Sequence, residues 1–225
     1  DFWLFSHDRG SMETDALLRH RQRAFVRHPY DLYVAISDFV KHQYEPYAEN
    51  VVVIKNPMPE SMICKETKND ARKHIGISPS TKVVIFAGSL TAKKGVYLLP
   101  EIAKLCEGWH FIVIGAGPDR PRGLDCRGKV SPEEMKYFYR AADVCIVPSL
   151  WNEPFGRVAM EAAENGCFIV VSNRGGLPEI AKQYGGRAVE PTAENFAQAI
   201  KEGGRIRKPL RTSFCKQFLR ALPSG

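Results

Sequence analysis

The sequence predicts a doubly wound α/β domain on a parallel sheet, preceded by an incomplete portion of another domain. Three observations predict it. From residue 82 onward, short β-branched apolar runs alternate with stretches of helical hydrophobic period. The runs are apolar at successive positions, as strands covered on both faces are. Most of them end in a loop of Gly, Pro and charged residues, where such sheets hold their ligands.

The first 50 residues read as a lone strand at Phe2–Ser6, a loop at His7-Asp8-Arg9-Gly10, a basic helix through Arg27, and a strand within Tyr30–Ser37. Two strands and a helix or two cannot close a core. Residues 1–50 are therefore expected to pack onto the second domain or to be the remnant of a larger one. Val51–Ile54 runs as a strand into Asn56-Pro57-Met58-Pro59, which marks 51–81 as a connecting segment. The main domain is expected over 82–203. Its first strand, Lys82–Gly88, precedes a helix at Val96–Leu105 with Leu98, Leu99, Ile102 and Leu105 on one face. Strand Phe111–Gly115, helix Pro132–Ala142, strand Asp143–Pro148 and helix Gly156–Asn165 follow. Then come strand Cys167–Ser172, helix Leu177–Gln183, the run Arg187–Val189 and helix Ala193–Glu202. A basic helix is expected over 204–225.

Of the 225 residues 44% are hydrophobic and 25% charged, which excludes disorder as the dominant state. No apolar run reaches the roughly 18 to 20 residues that span a bilayer, and Asp1–Phe5 lacks the basic start of a signal peptide. A soluble chain without an export signal is expected. The six cysteines form no C-x-x-C and no zinc spacing, which fits a reducing compartment. The net charge of +7 is concentrated at the end: from residue 201 seven Lys and Arg stand against Glu202 alone. That patch reads as a solvated helix face or as one that meets anionic lipid. Nucleic acid is not expected, since the patch lacks the interleaved aromatics that stack bases.

Glycine-rich loops at strand ends let backbone N–H groups approach phosphate oxygens, and a helix starting there adds its positive dipole end. Phe155-Gly156-Arg157-Val158 is the best-placed example, because it opens the helix that carries Glu161. Gly115-x-Gly117 also serves as a plain tight turn. Glu153 lies in the loop before that helix, with seven residues between it and Glu161. Paired carboxylates of this kind can accept hydrogen bonds from sugar and ribose hydroxyls on either side of a diphosphate, or simply form an acidic helix start.

The spaced motifs Pro148-Ser149, Glu153-x-Phe155-Gly156, Glu161-Ala162 and Gly175-Gly176-x-Pro178-Glu179 follow Gly88, Lys94-Gly95 and Gly115-x-Gly117-Pro118 in order. Val34-x-Ile36-Ser37 and Asn56 precede them. In this pattern, which covers nearly the whole chain, the sequence resembles the retaining, nucleotide-sugar-dependent glycosyltransferases of the GT-B fold, the family 4-like "glycosyl transferases group 1". The resemblance implies the Rossmann-like donor-binding half of a GT-B fold over 82–203, with an incomplete acceptor-side portion before it. It implies transfer of a hexose from a nucleoside diphosphate sugar to a glycan or lipid-linked acceptor, with the anomeric configuration retained. Glu153 then contacts donor-sugar hydroxyls, Glu161 the ribose, and the backbone of Phe155, Gly156, Arg157 and Val158 the sugar and phosphates. The backbone at Lys129 and Val130 meets the base, Lys94 neutralises the leaving diphosphate, and Gly88, Ser89, Gly115 and Gly117 line the phosphate loops. His7, on a loop of the first portion, is matched to a histidine near the reacting carbon.

One position departs from the family. Ser89 stands where its members place an arginine after the first-loop glycine, and a hydroxyl supplies no charge. Full activity then requires that Lys93 or Arg174 compensate. The absence of Asp-x-Asp predicts no metal site, and no cofactor is expected beyond the donor substrate. The expected setting is cytoplasmic, in cell-envelope polysaccharide synthesis, with peripheral contact to an anionic membrane surface. A nucleotide-sugar-binding module without turnover of its own remains the alternative, ahead of a sugar-nucleotide epimerase of the same architecture.

Overall fold

Ser37, two residues beyond the end of a strand, starts a helix in the first of two structural units. The computed structural model describes residues 32–46 and 48–207, and these divide into units at Asn56 and Pro57. Ser37 is extended (φ −154°), and its hydroxyl accepts the Val40 N–H at 3.1 Å, capping α1 (Asp38–Tyr44). β1 (Tyr33–Ala35) precedes it and β2 (Val51–Val53) follows, paired in parallel with Tyr33 opposite Val51. The buried Ile54 extends the pairing by donating its N–H to the Ala35 carbonyl at 2.9 Å. β1 and β2 fall within the expected runs Tyr30–Ser37 and Val51–Ile54, whereas α1 between them was not among the expected elements. The elements expected over residues 1–31, and His7 with them, lie outside the described residues.

Residues 51–81, expected as one connecting segment, divide between the units and contain a helix. α2 (Lys68–His74) is capped by Thr67, whose hydroxyl accepts the Asp70 N–H at 3.2 Å. Arg72 ties it down: the side chain, 6% exposed, donates to the Ala141 carbonyl at 3.0 Å and to Asp143 Oδ2 at 2.8 Å. Asp143 also accepts from Lys68 at 2.5 Å and from the Val83 N–H at 2.8 Å, so one carboxylate fastens α2 to the start of the sheet. Seven residues whose buried positions are an alanine and an arginine carry no helical hydrophobic period, which is why the sequence reading missed α2.

The second unit is a six-stranded, all-parallel sheet. β3 (Lys82–Ala87), β4 (Trp109–Ile114), β5 (Asp125–Gly128), β6 (Val144–Val147), β7 (Phe168–Ser172) and β8 (Arg187–Val189) lie in the order β5-β4-β3-β6-β7-β8. Alternate residues serve opposite faces. Val84, Phe86, Phe111, Val113, Val144, Ile146 and Val170 pack with Leu99 and Ile102 of α3 (Leu99–Leu105) and with Phe196 and Ile200 of α7 (Ala193–Glu202). Val83, Ile85, Ile112, Cys145 and Ile169 are equally buried on the other face. That face is covered by α4 (Pro132–Ala141), α5 (Arg157–Glu164) and α6 (Leu177–Tyr184). Burying each such aliphatic side chain stabilises the fold by about 1.5–3 kcal/mol relative to exposure.

The expected doubly wound sheet is therefore present, with one strand more than the sequence showed. β5 is Asp-Cys-Arg-Gly, an edge strand that pairs only with β4 and is half-exposed, so it has no apolar run to announce it. At the other end, residues 204–207 are not helical, and the Arg207 N–H donates to the Tyr184 carbonyl at 2.7 Å. The rest of the basic segment expected over 204–225 lies outside the described residues.

Candidate functional site

The strand order reverses between β3 and β6, and open parallel sheets bind ligands at that point, beyond the carboxyl ends of the strands. The loop leaving β3 (88–95) and the loop leaving β6 (148–156) meet there. Their approach is backbone against backbone. Gly95 has φ +73°, and a side chain on it would sit 1.9 Å from the Pro148 carbonyl oxygen; the Leu150 N–H donates to the Lys93 carbonyl at 2.8 Å. A side chain on Gly115, after β4, would lie 1.8 Å from the Gly88 carbonyl oxygen. The Gly88 N–H donates to Ile114 and the Leu90 N–H to Ala116, both at 3.0 Å. Gly88, Gly115 and Gly117 thus hold the loops together, while Ser89 is exposed beside them. Thr91 Oγ1 in the same loop is buried with no hydrogen-bond partner among the described residues.

Glu153 sits at the centre of this junction. Its Oε1 accepts from Ser149 Oγ at 2.7 Å and from Trp151 Nε1 at 3.0 Å, and forms an ion pair with Lys94 Nζ. The Glu153 side chain is 12% exposed and that of Lys94 24%, so the pair is screened less than a surface one. Three donors on Oε1 leave Oε2 with no hydrogen bond among the described residues. The indole face of Trp151 carries two ammonium groups, Lys93 at 4.9 Å and Lys94 at 5.1 Å from the ring centroid. Sequence reasoning named Lys94 and Glu153 but assigned Trp151 no role. The signal was there: an aromatic N–H donor two residues before the carboxylate, in a loop that otherwise reads as a turn.

α5 begins beside this cluster. Gly156 precedes it at φ +95° with no side-chain cap, so the first N–H groups of the helix have no intrahelical acceptor. Phe155 is buried, whereas the Arg157 side chain is 71% exposed. Glu161, one turn on, is buried with both oxygens engaged: Oε1 by Arg157 Nε at 2.8 Å and Oε2 by the Tyr139 hydroxyl at 3.0 Å. Burial, reinforced by the Glu161 carboxylate, pushes the Tyr139 hydroxyl well above its usual value, so it remains the donor.

The remaining predicted residues are spread along the same edge. Lys129, exposed, and Val130 follow β5, where the Gly128 carbonyl accepts the Gly115 N–H at 2.8 Å. Arg174, one of the two cations offered in compensation for Ser89, is bound to Asn173 at 2.8 Å and to Glu190 at 3.0 Å; Lys93 is the one held at the junction. Among the described residues no group of three or more His, Cys, Asp or Glu is placed to hold a metal ion. A cavity of about 480 Å³ lies at the opposite, amino edge of the sheet, between Trp109, Phe168 and Arg205, apart from this chemistry.

Comparison with known proteins gives a consistent result. Residues 67–211 match the family model described as Glycosyl transferases group 1. An uncharacterized glycosyltransferase of Methanocaldococcus jannaschii is 36% identical over an alignment of 132 positions that covers 52% of this chain and 34% of that protein. A D-inositol 3-phosphate glycosyltransferase of Corynebacterium efficiens is 36% identical over an alignment of 172 positions that covers 64% of this chain and 39% of that protein. The chain thus spans well under half the length of these relatives. Among solved structures, HepE of Anabaena in complex with UDP and glucose superposes with a TM-score of 0.72 at 20% identity, over 84% of this chain and 57% of that one.

Proposed function

Because the chain belongs to the glycosyl transferases group 1 family, we propose that it serves transfer of a hexose from a nucleoside diphosphate sugar held at the β3/β6 junction. The observation that carries this reading is the Lys94–Glu153 pair where the two loops touch. A cation there meets the diphosphate, and the free Oε2 of Glu153 accepts a hydroxyl of the donor sugar. The uncapped start of α5 adds partial positive charge through the N–H groups of Arg157 and Val158, beyond Phe155 and Gly156. Gly88, Ser89, Gly115 and Gly117 line the phosphate side, Lys129 and Val130 meet the base, and Glu161 takes the ribose once Arg157 moves aside.

In the proposed step the bond between the anomeric carbon and the diphosphate oxygen breaks. The acceptor oxygen bonds that carbon on the same face, and its proton passes to the leaving phosphate. Lys94 offsets the charge that develops on the diphosphate without a metal ion. His7 belongs to the reading through the family pattern alone. The acceptor is a glycan or lipid-linked sugar, in the cytoplasm, and the basic segment after residue 204 adds a weak, salt-sensitive attraction to anionic membrane. The relatives' names support glycosyl transfer, and the neighbour solved with UDP and glucose supports the donor class.

A second reading, a nucleotide-sugar-binding module without turnover, is favoured by one observation: every described candidate residue lies in the unit from Pro57 onward. One series of measurements tests both. Melting temperature is measured with UDP-glucose, GDP-mannose and ADP-glucose, since a ligand of the native state alone adds RT ln(1 + [L]/Kd) of stability. The chain is then incubated with whichever donor stabilises it, and free sugar and nucleoside diphosphate are followed. Stabilisation with release, the α-anomer appearing first, supports the transferase; stabilisation without release supports the module. No shift with any donor contradicts both.

A further inference from the structure

We propose that Trp151 is a positioning residue of the donor site, aiming the Glu153 carboxylate at the sugar and holding Lys94 beside it. The inference rests on the proposed function and assigns a residue that the family pattern leaves without a role. A glutamate has several rotamers of similar energy, so a carboxylate in a loop needs its neighbours to fix which oxygen faces the ligand. Among the described residues, the donors to the Glu153 carboxylate all act on one oxygen. The Trp151 indole N–H at 3.0 Å, the Ser149 hydroxyl at 2.7 Å and the Lys94 ammonium converge on Oε1. Oε2 keeps its lone pairs for a hydroxyl donor.

Trp151 does two things that Ser149 does not. Its N–H has one fixed direction in the ring plane and no acceptor capacity, so it sets the carboxylate's orientation without competing for the sugar's protons. Its face lies 5.1 Å from the Lys94 ammonium and 4.9 Å from that of Lys93, which draws both cations to the mouth of the β3 loop. When a diphosphate arrives, Lys94 shifts part of its bonding from Glu153 to phosphate while remaining over the indole. The ring thus keeps the cation in place as its partner changes.

The two contributions separate by substitution. Trp151→Phe keeps an aromatic face and removes the N–H; Trp151→Leu removes both. The chain is titrated calorimetrically with UDP and UDP-glucose, with the GDP/GDP-mannose and ADP/ADP-glucose pairs alongside, and melting temperatures are recorded. For the pair that the unsubstituted chain binds, Trp151→Phe is expected to leave nucleoside diphosphate affinity within about twofold. It should reduce the preference for the sugar-bearing donor about tenfold, the size of effect that loss of one hydrogen bond to a charged group produces. Trp151→Leu is expected to weaken the diphosphate as well. An unchanged sugar preference in Trp151→Phe overturns the inference, as does an equal loss for both ligands, which is what a merely structural role gives. If the unsubstituted chain binds none of the pairs, the donor-site reading itself fails and takes the inference with it, a result distinct from the other two.

Discussion

Glu153 and Glu161 are alike in chemistry and opposite in how they are held. Among the described residues, Glu153 has one oxygen engaged by three donors and one open, whereas Glu161 is held on both oxygens by Arg157 and Tyr139. Glu153→Ala is expected to spare nucleotide affinity and abolish the preference for the sugar-bearing donor. Glu161→Ala should lower nucleotide affinity. It should also cost about 1–3 kcal/mol of stability, because the buried Tyr139 hydroxyl loses its acceptor. Calorimetry and denaturant titration of the two variants check this, and identical behaviour would rule out the division of roles. Thr91 gives a converse case. Its hydroxyl is buried without a partner, so Thr91→Val should leave stability unchanged or raised by up to about 1–3 kcal/mol. A clear loss in urea would show that the hydroxyl has a partner in solution.

The elements that the sequence made legible are those whose burial is periodic. β3, β4, β6 and β7 are apolar at successive positions because helices cover both faces, and the Gly- and Pro-rich loops that leave them mark the edge where such sheets hold ligands. α2 and β5 were not legible, because polar contacts hold them and hydrophobic pattern does not record such contacts. Arg72 on α2 reaches Ala141 and Asp143; truncating it to Ala leaves the Ala141 carbonyl without that donor, while Asp143 keeps Lys68 and the Val83 N–H, and should cost about 1–3 kcal/mol, measurable by urea unfolding. β5 is tied by Asp125, which accepts from His110 at 2.9 Å and Arg127 at 2.7 Å. Burial pushes the Asp125 carboxyl up, but the hydrogen bonds from Arg127 and His110 outweigh it and hold the group below its usual range. A lowered carboxylate stabilises the fold above its unfolded pKa and loses that contribution as pH falls through the folded one. Melting temperature should therefore fall less on acidification in Asp125→Asn than in the unsubstituted chain; parallel acid limbs would contradict this. In the same terms Gly95→Ala should both destabilise and disturb the donor loops, since φ +73° and the Pro148 carbonyl leave no room for a methyl group.

At the scale of the whole molecule, the strand order β5-β4-β3-β6-β7-β8 is what converts residues far apart in sequence into one site. Lys94 and Glu153 were individually visible as a charged residue in a glycine loop and a carboxylate before a helix. Their contact was not, because it depends on β3 and β6 being neighbours in a sheet that runs the chain through β4 and β5 between them. Trp151 stayed silent for the same reason: its partners come from both loops. The net charge of +7 is gathered largely from residue 201 on; on the proposed membrane contact, sedimentation with anionic vesicles is expected to show binding at low salt that vanishes at high salt. The central claim is that the β3/β6 junction binds a nucleoside diphosphate through the charge of Lys94. Calorimetry of the unsubstituted chain and Lys94→Ala with UDP and uridine, and with the guanosine and adenosine pairs, tests it most directly. The account predicts a loss of about 1.5–3 kcal/mol in nucleoside diphosphate affinity with nucleoside affinity unchanged; an equal loss for diphosphate and nucleoside, or none for either, would contradict it.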